Sequence, residues 1–314
     1  MNIRPLELLD LPILRRHRND AVTLDSARAL TRGNPLGTVA FLSHFNPARH
    51  IFTAIAKDNG TSLLGSVIHT RDESFARLVY LAPTTQLTHP ELPALVDSLS
   101  AQAGAWGALH VLAELDETSI AFPALRTAGF AVYARQRLWD VSSIVSTADA
   151  DKESTWVKAR EVDMPAIQNL YYQIVPPLLQ PIEPRPSRAD GFIATAGGAN
   201  GSGARSYVSV NSGSLGIVLT PLIHPEVTDV GASLAALIRN LPGRGALPVY
   251  LCVRSYQAWL EPALADLGAT ASPRQAVMVK HLARMVKEEQ TLKAVQPAGV
   301  TVQPSRVSRM QTKK

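Results

Sequence analysis

The sequence predicts an α/β protein that consists of two copies of one unit. Segments with the apolar content of strands alternate with segments of helical period, this order occurs twice, and short motifs recur at a similar offset. The length of 314 residues corresponds to about two average domains. With 46% hydrophobic residues, the chain can bury a core without the help of metals or disulfides.

The first unit begins with a strand at residues 3–6. The helix that follows has Asp10 near its N-cap and Pro12 in its first turn, which suits both residue types. A helix at about 90–105 carries four leucine and valine residues on one face. The other predicted elements of this unit are strands at 51–56, 63–69, 76–82, 109–114 and 130–140 and a helix at 119–128.

The second unit repeats this order. Its strands are predicted near 156–159, 206–210, 215–223, 247–253 and 275–281, and its helices at 230–241 and 256–267. Residues 196–203 are rich in glycine but lack the lysine of a phosphate-binding P-loop, so we expect an ordinary loop there.

Four pairs of motifs support the repeat, in the same order in both halves and at offsets of 138, 139, 142 and 153 residues. The pairs are Gly-Ala-Leu-x-Val at 107 and 245, Pro-Ala-Leu at 123 and 262, Asp-x-Pro at 10 and 163, and a strand-ending proline at 83 and 225. The alternative is two unrelated α/β domains with similar turns. We expect domains at 1–140 and 156–285, a polar linker at 141–155 and a disordered basic tail at 286–314.

Composition and charge exclude several classes of protein. Cys252 is the single cysteine, so an internal disulfide and a cysteine-rich zinc site are excluded. The net charge of +5 comes from the tail, because residues from Arg284 onward hold seven Lys or Arg and two Glu. Nucleic-acid binding through this basic tail is one possible function. The sequence shows neither a signal peptide nor the run of about 18 apolar residues that spans a membrane, so we expect a cytoplasmic protein without a membrane partner.

The order β-α-β-β-β-α-β-α-β, together with three motifs, resembles the GNAT N-acetyltransferases. The motifs are Ile3-Arg-Pro-Leu before Asp10-Leu-Pro12, Leu81-Ala-Pro-Thr-Thr-Gln86 at a strand end, and Leu125-x-x-Ala-Gly-Phe130. The resemblance covers residues 1–140 and 156–283. It implies a tandem GNAT protein in which each domain has a mixed, mostly antiparallel sheet flanked by helices, with acetyl-CoA as the co-substrate.

The resemblance also implies where acetyl-CoA binds. In such proteins a loop Gln/Arg-x-x-Gly-x-Gly/Ala holds the pyrophosphate at a helix N-terminus, and pantetheine lies where the preceding strand splays from its neighbour. The matching cofactor-binding positions in this chain are Leu81, Gln86, Ile223, Thr228, Gly231 and Ser233. Both loops depart from the pattern: His89 and Glu91 replace the small residues of the first, and a threonine replaces the Gln or Arg of the second.

The catalytic candidates follow from the same resemblance. The tyrosine expected before the last strand is replaced by Leu125 and Leu264, although Tyr133 and Tyr256 lie nearby in sequence. His69 and Glu114, at the ends of two predicted strands, are candidate general bases that would act through water on the attacking amine. In the second half the corresponding positions are His224 and Glu226. The histidines have no metal-ligand spacing, so no metal is expected.

The function implied by the resemblance is N-acetyltransferase activity, in which an acetyl group moves from acetyl-CoA to a primary amine. The acceptor would be a small-molecule amine or the N-terminal or lysine amine of a protein. The alternative is a catalytically inactive tandem GNAT-like protein that binds a ligand or serves as a scaffold. The altered loops and the missing tyrosines favour this alternative.

Overall fold

One sheet of fourteen strands runs through the part of the chain that the computed structural model describes, which is residues 2–36, 49–58, 61–71, 73–144, 156–195 and 204–282. The strands are β1 Asn2–Pro5, β2 Val22–Thr23, β3 Arg49–Asp58, β4 Thr61–Thr70, β5 Phe75–Ala82, β6 His110–Asp116, β7 Ala131–Asp140, β8 Val157–Lys158, β9 Gly191–Thr195, β10 Ala204–Ser212, β11 Ile217–Ile223, β12 Val249–Arg254, β13 Thr270–Ala271 and β14 Gln275–His281.

Seven α-helices flank this sheet in the described residues. They are α1 Leu11–Arg16, α2 Ser26–Arg32, α3 Leu92–Ala105, α4 Ala121–Thr127, α5 Met164–Ile174, α6 Val230–Arg239 and α7 Glu261–Asp266. The predicted fold class, a mixed and mostly antiparallel sheet with flanking helices, is confirmed. No helix of the described part is both long and apolar enough to cross a bilayer.

The helices cover the sheet through apolar faces. The four residues of α3 that share a face, Leu92, Leu95, Val96 and Leu99, are fully buried in the core of the first half. The second half has its own core, built on α6 and α7 and the strands beneath them. Val141 and Ile144, at the start of the predicted linker, are buried in that second core. Residues 145–155, the glycine-rich segment 196–203 and the tail from 283 lie outside the described residues, so the domain division stays a prediction.

The two halves exchange their last strands. The strand order is β1-β3-β4-β5-β6-β14-β7-β12-β11-β10-β9-β8. The final strand of the second half, β14, lies antiparallel between β6 and β7, with pairs from Gln275↔Asp116 to His281↔His110. The final strand of the first half, β7, in turn pairs with β12 of the second half. Residues 1–283 therefore form a single unit in which neither half closes its sheet alone.

Each half contains one parallel strand pair that opens into a gap. β5 and β6 are paired only from Phe75↔His110 to Arg77↔Leu112, and β11 and β12 only from Ile217↔Val249 to Leu219↔Leu251. Beyond these three pairs the strands separate toward their carboxyl ends. We call the two openings the first gap and the second gap; they lie where the resemblance places pantetheine.

Candidate functional site

The first gap is filled by the backbone of the chain itself. Val22 and Thr23 of β2 pair antiparallel with the β5 edge that faces the gap. The N–H of Leu24 donates to the carbonyl of Val79 at 2.9 Å, and the carbonyl of Leu24 accepts from the N–H of Glu114 on β6 at 2.8 Å. Leu24 is buried. Residues 22–24 thus bridge the separating strands, and the β5 edge that a bound pantetheine would need is already paired.

A β-bulge marks β5 at the same place. The pairing with β4 runs through Ser66↔Tyr80 and then Val67↔Leu78, so Val79 is an extra residue on β5. A bulge re-aims the backbone groups around it. In contrast, β11 pairs with β10 in unbroken register along its whole length.

The second gap is filled by one side chain. Gln257 lies in the 3-10 helix Ser255–Leu260 that follows β12, and it is 1% exposed. Its amide Nε2 donates to the carbonyl of Pro221 at 2.8 Å, and its Oε1 accepts from the N–H of Ile223 at 3.0 Å. Ile223, a predicted cofactor-binding residue, therefore has its backbone donor engaged within the chain.

The first phosphate-binding loop is closed by its own hydrogen bonds. The N–H of Gln86 donates to the carbonyl of Pro83 at 3.1 Å. At the start of α3, the N–H of Glu91 donates to the imidazole Nδ1 of His89 at 3.2 Å, and the N–H of Leu92 donates to the carbonyl of the same histidine at 3.0 Å. To bind a pyrophosphate, these amide N–H groups would have to point toward it. In this structure they donate hydrogen bonds within the loop instead.

In the second loop, Gly231 and Ser233 lie against other parts of the chain. Gly231 lies in the first turn of α6, where an added Cβ would come within 3.7 Å of Ala263 on α7, an ordinary van der Waals distance. Ser233 accepts the indole N–H of Trp156 with its hydroxyl and with its carbonyl, both at 3.0 Å. Thr228 is exposed. The roles of these residues toward acetyl-CoA stay predictions.

His69 is buried on the face of β4 that points away from the cavity described below. Its Nε2 lies 2.8 Å from the carbonyl oxygen of Glu73, and its ring stacks with His50 and Trp106. Its neighbours Ile68 and Thr70 line the cavity, so His69 itself lies on the opposite face. The sequence could not show this, because the exact register of the strand decides which face a residue takes.

Glu114, in contrast, belongs to a buried network that connects the two halves. Its Oε2 accepts from the N–H of Ser26 at 3.2 Å and its Oε1 from Arg254 Nη2 at 3.5 Å. The same guanidinium donates from Nε to Glu183 Oε1 at 2.9 Å and from Nη1 to Gln136 Oε1. Arg254 comes from β12 of the second half, so its charge offsets a carboxylate on β6 of the first.

The protonation of this network follows from burial and from neighbouring charge. Burial opposes ionisation of Glu114, but the guanidinium groups of Arg254 and Arg77 outweigh it and hold the pKa of Glu114 below its ordinary value. For Asp25 burial prevails, and the pKa is raised. Burial also raises the pKa of the Cys252 thiol to about 12, so this cysteine is an unreactive thiol.

These residues line a central cavity of about 380 Å³, within the size range of small-molecule sites. Its wall combines α2 and the strands of both halves with the segment 183–190. The charged and phenolic groups of the wall include Asp25, Arg28, Arg77, Glu114, Tyr171, Glu183, Arg185, Tyr207, Arg254 and Tyr256. Within the described residues, Oε2 of Glu183 has no hydrogen-bond partner, although this residue is only 8% exposed.

The cavity brings together part of the predicted site and adds groups that the sequence analysis missed. Glu114 and Tyr256 line it, whereas His224 and Glu226 lie at the surface with Arg205. The missed groups include Arg77 and Arg254. In the sequence, each is a single charged residue inside or at the end of an apolar strand, and this pattern could have indicated a buried charge.

Acetyl-CoA, the co-substrate that the resemblance implies, does not fit either gap in this structure. Residues 22–24 pair with the β5 edge of the first gap, and the carboxamide of Gln257 takes the backbone groups of the second.

Comparison with known proteins supports the fold. No protein-family model and no curated protein matches this chain. Among solved structures, a tandem GNAT protein from the clavulanic acid biosynthesis pathway is similar over 90% of this chain and 99% of its own, with 13% identity and a TM-score of 0.52. A GCN5-related N-acetyltransferase from Sphaerobacter thermophilus is similar over 89% and 95%, with 12% identity and a TM-score of 0.54. The chain therefore has the tandem fold of the GNAT acetyltransferases.

Proposed function

We propose that this protein binds a small polar molecule in the central cavity, as a binding protein built on a tandem acetyltransferase fold. The observation that carries the proposal is the contrast between the three openings. The two gaps are filled by the chain's own atoms, whereas the cavity is open and lined by buried ionisable groups. Such groups cost free energy when buried, and a cavity that collects them is a functional-site candidate.

A thermal-shift panel of primary amines, amino acids and carboxylic acids tests this proposal. A ligand at about a hundred times its Kd would stabilise the folded state by about 2.7 kcal/mol, a shift of several degrees in Tm. Thr220→Phe places a large side chain in the cavity wall and should abolish the shift. Thr127→Phe, at an exposed threonine on α4, is the matched control and should retain it. A shift that persists in Thr220→Phe contradicts the proposal.

The second candidate is N-acetyl transfer from acetyl-CoA to a primary amine, on a small molecule or on a protein N-terminus or lysine. The fold and the bulged β5 beside Glu114 favour it. In this case the central cavity would hold the acceptor, and residues 22–24 would have to leave the β5 edge. Release of free CoA from acetyl-CoA in the presence of an amine panel would replace the first candidate by this one.

Both candidates are proposed for a cytoplasmic protein. Cys252 is buried as a free thiol, which is the usual state of cysteine in a reducing compartment.

A further inference from the structure

We propose that the carboxamide of Gln257 takes the backbone hydrogen bonds that the amides of pantetheine would make, and that it keeps the second half from binding an acyl-CoA. Past Leu219, the β11 edge offers a carbonyl at Pro221 and an N–H at Ile223. The N–H and the carbonyl of a trans secondary amide point in opposite directions. The two amides of a pantetheine laid along this edge would therefore divide these partners, one amide donating to Pro221 and the other accepting from Ile223. The carboxamide of Gln257 makes these same two hydrogen bonds, at 2.8 and 3.0 Å.

The local backbone holds this side chain in the gap. Gln257 has φ −120° and ψ 24°, a break from helical geometry inside its 3-10 helix. The residues around it are fixed: the hydroxyl of Tyr256 lies 3.4 Å from Glu183 Oε1, and Leu260 is fully buried. A ligand that displaced the carboxamide would leave Nε2 and Oε1 of Gln257 buried without hydrogen-bond partners. The free energy lost in this way exceeds the free energy gained from the ligand's own pair of similar hydrogen bonds.

The second gap differs from the first in a way that makes it testable. The first gap is closed by the backbone of residues 22–24, which no single substitution removes. The second is closed by one side chain from the 3-10 helix after β12, and β11, the strand that it bonds, has no bulge in its pairing with β10. One substitution at Gln257 therefore removes the group that closes the second gap. It leaves the central cavity intact, because Gln257 is not among the residues of its wall.

Backbone hydrogen exchange at Ile223, measured by NMR, tests the proposal directly. In Gln257→Ala the N–H of Ile223 loses its acceptor, and we expect its exchange to become about tenfold faster. The matched variant is Gln257→Glu. When protonated, its carboxyl group can donate to Pro221 and accept from Ile223 as the carboxamide does, so protection relative to the intrinsic exchange rate should be retained at low pH. Ionisation removes the donor to Pro221 and sets a negative charge against that carbonyl oxygen, so the carboxylate should leave the gap and protection should fall.

Titration of the wild-type protein with acetyl-CoA and with pantetheine completes the test. We expect no change in the exchange or chemical shift of Ile223 at millimolar concentrations of either compound. Perturbation of Ile223 by either compound overturns the proposal, and so does an unchanged exchange rate in Gln257→Ala. If the alanine variant does not fold, the wild-type titration and the glutamate variant decide the question by the same criteria.

Discussion

Arg254 shows how a single residue connects the halves. Its side chain is 7% exposed, and its guanidinium contacts carboxylates from two separate parts of the chain, Glu114 and Glu183. A buried ion pair of this kind adds little net stability compared with apolar residues of the same shape. Its removal is costly for a different reason, because the carboxylates remain buried without their counter-charge.

We therefore expect Arg254→Met to lower the free energy of unfolding by about 3–5 kcal/mol, measured by urea denaturation. The control is Arg135→Met. Arg135 pairs with Glu117 at the surface, where its side chain is 50% exposed, and an exposed pair contributes about 0–1 kcal/mol. Equal losses in the two variants would mean that the buried network is not a connection between the halves.

At the scale of elements, α2 connects the first half to the turn between β10 and β11. The carbonyl of Thr31, in the last turn of α2, accepts from the N–H of Leu215 in that turn at 3.0 Å. Gly213 lies directly beneath, and a Cβ added there would come 2.2 Å from the same carbonyl oxygen. The contact leaves no room for a side chain, so this glycine is required by packing.

Two glycine substitutions distinguish a glycine that close packing requires from one that it does not. Gly213→Ala should lower the free energy of unfolding by about 1–3 kcal/mol, because the helix end must move away from the turn. Gly231→Ala should be neutral or should stabilise α6 by up to about 1 kcal/mol, since alanine favours helix and its Cβ meets only ordinary contacts. Thermal denaturation measures both. A large loss in Gly231→Ala would show that this glycine has a role the helix packing does not explain.

The sequence allowed prediction of the elements that have a strong local pattern. The long strands and α3 were predicted because apolar spacing and proline positions are local properties. Local pattern does not predict α2, β2 or β9, which are short. α5 is not among the predicted helices either, although its sequence has an amphipathic period that buries Met164, Ile167, Leu170 and Tyr171 on one face. The filled gaps were also beyond prediction: Gln257 lay in a segment predicted as helix, and its contact with Ile223 depends on tertiary structure.

At the scale of the whole molecule, the exchange of last strands makes the halves depend on each other. In the first half, β6 has no partner on its second edge unless β14 pairs with it. In the second half, β12 has no partner on its second edge unless β7 pairs with it. The repeat seen in the sequence therefore describes two units of similar order, while the sheet joins them into one folding unit.

Separate expression of residues 1–150 and 151–314 tests this dependence. Each piece carries the closing strand of the other, so we expect each alone to lack cooperative unfolding and the mixture to recover it. Circular dichroism melts, together with size-exclusion chromatography of the mixture, measure both properties. A cooperative melt from either piece alone would contradict the expectation.

The exchange also has a consequence during protein synthesis. A ribosome makes β6 early but makes its partner β14 only near the end of the described chain. At about 5–20 residues per second, the nascent chain carries β6 with an unpaired edge for roughly 10–30 seconds. Such an edge is a template for pairing with other chains. We therefore expect a limited supply of chaperones to lower the yield of soluble protein on expression, which fractionation of soluble and aggregated chains would measure.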